Sequence, residues 1–192
     1  MEIDTVFDLP AHPLLVHGAV VLVPLAALGS IAVAFVPFLR RRLGWLVAAA
    51  AFGAMAMIPF VTGSGEAFEE RVEETDLVER HTELGDGLLP WVIGLFVSIL
   101  LVMVLDHLAT RRARSDGPGA AARSPAWLLP AALLAAGLTA ATGTGAIIQT
   151  VRIGHSGSAA VWSGVVNGPA AETGDEDGGS GRGRGRGRGG DG

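Results

Sequence analysis

Four of the chain's five histidines, His12, His17, His81 and His155, lie at the ends of long uncharged apolar stretches. Neutral imidazole is the commonest side-chain ligand for transition metals, and two opposed histidines can hold haem iron from its two axial sides. His12 precedes Pro13, and proline is favoured at the first position of a helix, where its missing N–H would be unpaired anyway. His17 follows just over a turn later, about 140° around the helix, so the two rings share a face only if the helix entry is irregular. His81 lies in Arg80-His81-Thr82-Glu83-Leu84-Gly85, just before the third apolar stretch, and His155 lies in Gly154-His155-Ser156-Gly157, just after the fourth. A ligating imidazole needs a partner for its other nitrogen, and Glu66, Glu79 and Glu83 are the carboxylates placed to serve. The same positions also suit histidines that only lie among headgroups and water, and His107, beside Asp106, reads that way.

The elements that must carry these residues are membrane spans. No Asp, Glu, Lys or Arg occurs in Leu9–Phe38, Leu43–Gly65, Gly87–Leu105 or Ser124–Val151. Crossing a hydrocarbon core of about 30 Å at 1.5 Å per residue takes ~20 residues, and each stretch holds such a run. The predicted helices are 13–39, 43–62, 87–105 and 126–148, within a transmembrane domain over 9–161. The expected fold class is all-α: an integral membrane four-helix bundle, N-out and C-out, with a disordered C-terminal tail. Glu2, Asp4 and Asp8 precede the first run where a signal peptide would carry positive charge, so that run reads as a retained span.

Composition points the same way. Hydrophobic residues make up 49% of the 192 and charged residues 17%, more apolar surface than polar groups could cover in water. Cysteine is absent, which excludes disulfides, thiolate metal sites, iron–sulfur clusters and covalently attached c-type haem. Seven arginines, Arg40, Arg41, Arg42, Arg111, Arg112, Arg114 and Arg123, fall in the first and third connections, against Arg71 and Arg80 in the second. The positive-inside rule then puts the first and third connections in the cytoplasm of a cell (inner or plasma) membrane. Both termini and the acidic 64–86 connection, with the four flanking histidines, fall on the extracytoplasmic face.

Helices in lipid associate through close approach, so small residues four apart mark interfaces. Ala132, Ala136 and Ala140, with Gly137, Ala141 and Gly145 beside them, and Ala49 with Gly53, predict that the second and fourth spans are central neighbours. The third span, rich in Leu, Ile, Val and Phe, is expected to face lipid. Residues 167–192 are acidic and then Arg-Gly-rich; such a composition buries too little apolar surface to fold. On this topology no nucleic acid is expected as a partner, and anionic headgroups or solvent meet the tail instead. No serine has a paired base at a recognisable catalytic spacing.

Leu9-Pro10-Ala11-His12-Pro13-Leu14-Leu15-Val16-His17, Thr62-Gly63, His81-x-x-Leu84-Gly85 and Gly154-His155-Ser156-Gly157 together resemble a bacterial family of four-helix membrane proteins, domain of unknown function 2231. The likeness covers about 9–161. Gly18 and Ala19 follow His17 where that family commonly has Phe-Pro. The resemblance implies a histidine framework at the outer face and supplies no established activity. Two readings follow. One is a haem b or transition-metal redox component, with His17 and His81 as the preferred ligand pair and His12 or His155 as a second site. The other is a non-enzymatic membrane component without a cofactor, a small permease-like protein or a partner subunit, alone in the lipid bilayer or as a homo-oligomer.

Overall fold

The computed structural model describes residues 5–6, 9–69, 75–115 and 125–167; the Arg-Gly tail and part of the acidic connection lie outside the described residues. Five helices make up nearly all of it: α1 (Ala11–Phe35), α2 (Pro37–Glu69), α3 (Asp76–Asp86), α4 (Leu89–Ser115) and α5 (Leu128–Asn167). Two-residue strands, β1 (Thr5–Val6) and β2 (Leu9–Pro10), pair antiparallel ahead of α1. Four of the helical segments are long and apolar enough to cross a membrane.

The helices reach further than the uncharged windows. Val36 precedes Pro37, and a pre-proline residue is disfavoured in the α region, so α1 stops at Phe35 rather than Leu39. Pro37 then opens α2, and Arg40, Arg41 and Arg42 occupy its first turns instead of a loop. At their other ends α2 runs to Glu69, α4 to Ser115 and α5 to Asn167, well beyond the bounds drawn from apolarity. Hydrocarbon thickness limits the apolar part of a helix, whereas the helix itself continues into water as long as propensity and caps allow. The acidic connection also contains a helix. Thr75 caps α3, its Oγ1 accepting from the Val78 N–H at 3.3 Å, and Asp76 and Glu79 in the first turn complement the positive end of the helix dipole.

The four long helices form a ring in which α1 packs on α2 and α5, and α4 packs on α5 and α2. α2 and α5 therefore stand on a diagonal, which corrects the expectation that the second and fourth spans are central neighbours. α4 also departs from expectation: the segment containing it is the most buried of the four, and Val92, Leu95 and Ile99 are wholly enclosed. The reason is that a small residue marks the place where a neighbour's large side chain enters. Gly44 of α2 lies beneath Met103 of α4, Gly143 of α5 beneath Ile31 of α1, and Gly145 of α5 against the Trp91 ring of α4. On α5, Ala136 is buried while Gly137 and Ala141 are exposed, so in the second predicted small-residue row it is Gly145 that packs into the bundle.

Arg40 closes the end of the bundle opposite the histidines. Its guanidinium lies 3.3 Å from Asp106 of α4, and it donates to the Val33 and Ala34 carbonyls that the end of α1 leaves without helical partners. One side chain thus joins α1, α2 and α4. Replacing Arg40 with Ala should lower stability by about 1–3 kcal/mol, the range for losing charged hydrogen bonds, with Arg40→Lys intermediate, as read by thermal unfolding in detergent. A Cβ at position 145 would overlap the Trp91 ring, so Gly145→Ala should cost about 1–3 kcal/mol by overpacking and be relieved by Trp91→Leu.

Candidate functional site

His12 lies in the first turn of α1, where Pro13 in the next position is tolerated because the first-turn N–H groups have no helical partners. The hairpin α1–α2 brings the ring against the far end of α2. His12 Nδ1 is 3.2 Å from Val61 O and 3.2 Å from Ser64 Oγ. Ser64 in turn donates its own proton to Val61 O at 2.9 Å. A carbonyl can only accept, and a hydroxyl whose proton is already given away must accept as well. Nδ1 therefore carries the hydrogen, and Nε2 is the ring's acceptor atom.

His81 repeats this arrangement on the other hairpin. It projects from α3 onto α5, with Nδ1 3.0 Å from Ser156 Oγ, while Ser156 donates to Ile153 O at 2.9 Å. Ser156 Oγ has a single proton and two acceptors in reach, Ile153 O and His81 Nδ1, so its contact with His81 fits either ring tautomer. Gln149 of α5 fastens the end of α3 by donating from Nε2 to Leu84 O at 2.6 Å, so the helix carrying His81 is tied to the helix carrying its partner.

Both rings rest on a glycine. A Cβ on Gly65 would lie 3.0 Å from His12 Cε1, and a Cβ on Gly157 would lie 3.0 Å from His81 Cε1. Each glycine directly follows the serine that binds Nδ1, so a Ser-Gly step both orients the imidazole and makes room for it. His12 and His81 are both half-buried.

The four flanking histidines do not gather into one group. His17 is exposed and its Nδ1 bonds Pro13 O of its own helix; His155 is exposed on α5; His107 is exposed on α4. His12 is the α1 histidine whose ring reaches another helix, whereas the His17 ring bonds back to its own. Glu66, Glu79 and Glu83 are exposed, and the groups orienting the rings are Ser64, Val61 O and Ser156. Among the described residues no three His, Asp or Glu side chains gather as a metal-binding group, so an ion held here would take two imidazoles and complete its shell with other molecules. Sequence reasoning gave Ser64, Gly65, Ser156 and Gly157 no part in seating the histidines. A faint signal existed in Ser64-Gly65-Glu66-Ala67 and Ser156-Gly157-Ser158-Ala159, which agree at three of four positions, a likeness too short to stand without the contacts.

These features define a multi-pass helical membrane protein with a pair of oriented imidazoles at one end of its bundle. The chain belongs to the family described as predicted membrane protein, domain of unknown function 2231 (DUF2231), which matches residues 8–168. No curated protein and no solved structure matches it.

The hydrogen-bond logic is open to direct measurement. In ¹⁵N-histidine NMR spectra of the detergent-solubilised protein, His12 should appear as the Nδ1–H tautomer, and His81 should match it where the two seats are equivalent. Ser156→Ala should shift His81 towards a tautomer mixture and leave His12 unchanged.

Proposed function

We propose that this protein sits in the cell (inner or plasma) membrane with both termini outside the cytoplasm and holds a transition-metal centre at its extracytoplasmic end. The centre is a bare ion or the iron of haem b, and His12 and His81 are its ligands. The observation that carries this reading is the shared seating: two half-buried imidazoles, each meeting a serine of another helix at Nδ1 and set over the glycine that follows that serine. Fixing one ring nitrogen so that the other can ligate is how histidine metal sites are ordinarily supported. In this chain serines and a backbone carbonyl act as the supporting groups. The arginines support this orientation: Arg40–Arg42 and Arg111–Arg114 lie at the ends of helices away from the imidazole pair, and the positive-inside rule favours the cytoplasm for those ends. A centre at this position is suited to exchanging electrons or ligands with extracytoplasmic partners.

Protein purified in mild detergent from haem- and metal-replete cells should show a Soret band or stoichiometric metal. His12→Ala and His81→Ala should each lower occupancy at least tenfold, and His17→Ala and His155→Ala should leave it unchanged. A colourless, metal-free preparation would instead identify a membrane component that works without a cofactor. Because the chain has no cysteine, single introduced thiols report topology cleanly. A thiol at Glu79→Cys should react with an impermeant maleimide on intact cells, and one at Arg112→Cys only after the membrane is opened.

A further inference from the structure

The two imidazole contacts belong to a longer correspondence. Adding 69 to a number in α1 leads from His12 to His81, from Gly18 to Gly87 and from Leu22 to Trp91. Adding 92 to a number in α2 leads from Gly53 to Gly145, from Met57 to Gln149, from Ser64 to Ser156 and from Gly65 to Gly157. Under those two fixed offsets the contacts map onto each other. His12 lies on Gly65 as His81 lies on Gly157; Met57 lies over Gly18 as Gln149 lies over Gly87; Leu22 lies over Gly53 as Trp91 lies over Gly145. The burial phase follows too. Ala19, Val23, Ala26, Val33 and Ala34 are buried in α1, and so are their counterparts Leu88, Val92, Leu95, Val102 and Met103.

One offset would be expected of any two helices sharing a heptad-like phase. Two offsets that jointly preserve three inter-helix contacts, including a hydrogen-bonded His-Ser pair and the glycine beneath it, require the same hairpin geometry twice. The ring arrangement agrees. α1 stands diagonal to α4 and α2 to α5, as a twofold axis through the middle of the bundle demands. Both hairpins run in the same sense, so that axis lies along the membrane normal, the parallel-repeat arrangement known for membrane proteins.

We infer that the chain is a duplicated helical hairpin, and that His12 and His81 are the two equivalent halves of a single ligand site on the axis between the copies. Each copy contributes one imidazole, one orienting serine and one glycine floor. The inference rests on the proposed metal reading for its ligand, and it adds that the site takes one metal centre per chain through both rings. It does not form a separate site for each ring or pair a copy with His17 or His155.

The test uses the full-length protein in detergent with ¹⁵N-histidine labelling, and Co(II) alone or hemin alone as the probe. One equivalent should perturb the His12 and His81 signals together. Ser64→Ala and Ser156→Ala should weaken binding by similar factors, roughly 10–100-fold, the range for loss of a group that orients a ligand. His12→Ala, His81→Ala and the double variant should be equally defective. The copies can also be compared without any ligand. Met57→Gln with Gln149→Met, which exchanges counterpart residues, should leave the melting temperature and both histidine tautomers close to those of the parent. If neither probe binds, yet the two rings share a tautomer and His81→Ala shifts the His12 signal, the metal reading fails and the duplicated site stands. Binding of two equivalents, or full-affinity binding that survives loss of either histidine, overturns the single shared site. Different tautomers for the two rings overturn the equivalence of the copies.

Discussion

A polar group enclosed between membrane helices must find its partner inside the protein, because lipid offers none. For His12 and His81 that requirement is met by a serine one helix away, and the serine is itself tied to the carbonyl three residues earlier. At His12 the ring also touches Val61 O itself, and since a carbonyl only accepts, Nδ1 carries the hydrogen there. Backbone geometry thus sets the tautomer of that ring.

The same contact constrains helix approach. An imidazole near van der Waals contact with a neighbouring helix leaves no space for a Cβ beneath it, and Gly65 and Gly157 supply the gap. Along the rest of the bundle other glycines receive Met103, Ile31 and Trp91. Close approach of this kind takes the place of hydrophobic driving force, which is weak between helices already surrounded by hydrocarbon. At the opposite end Arg40 joins three helices through Asp106 and the carbonyls ending α1. The bundle is thus held by small-to-large packing along its length and by polar contacts at its two ends.

A duplicated hairpin accounts for why these polar contacts come in pairs at the histidine end. When two copies pack about an axis, a residue near that axis meets its own counterpart, and a single useful side chain becomes a bidentate set. Divergence is visible where pairing does not require identity. Met57 corresponds to Gln149, which donates to Leu84 O and anchors α3. The second copy carries its histidine on a helix set off from its span, while the matching residues of the first copy run on into the span as the opening turns of α1.

Charge-free length was enough, by itself, to reveal four apolar helices, because hydrocarbon thickness and the cost of charge act on each segment independently, and the short motifs around the histidines pointed to the family. Those local rules could not decide which helices touch. The prediction from small residues alone put α2 beside α5 and sent α4 to lipid, whereas large side chains on α4 fill the glycine positions opposite them. Nor could they decide which histidines meet. His17 and His12 are near in sequence, but only His12 faces the far end of α2. His81 and Ser156, 75 residues apart, are neighbours only once α3 folds onto α5. Contacts of that separation depend on how whole helices are rotated and paired, and that information enters only with the tertiary structure.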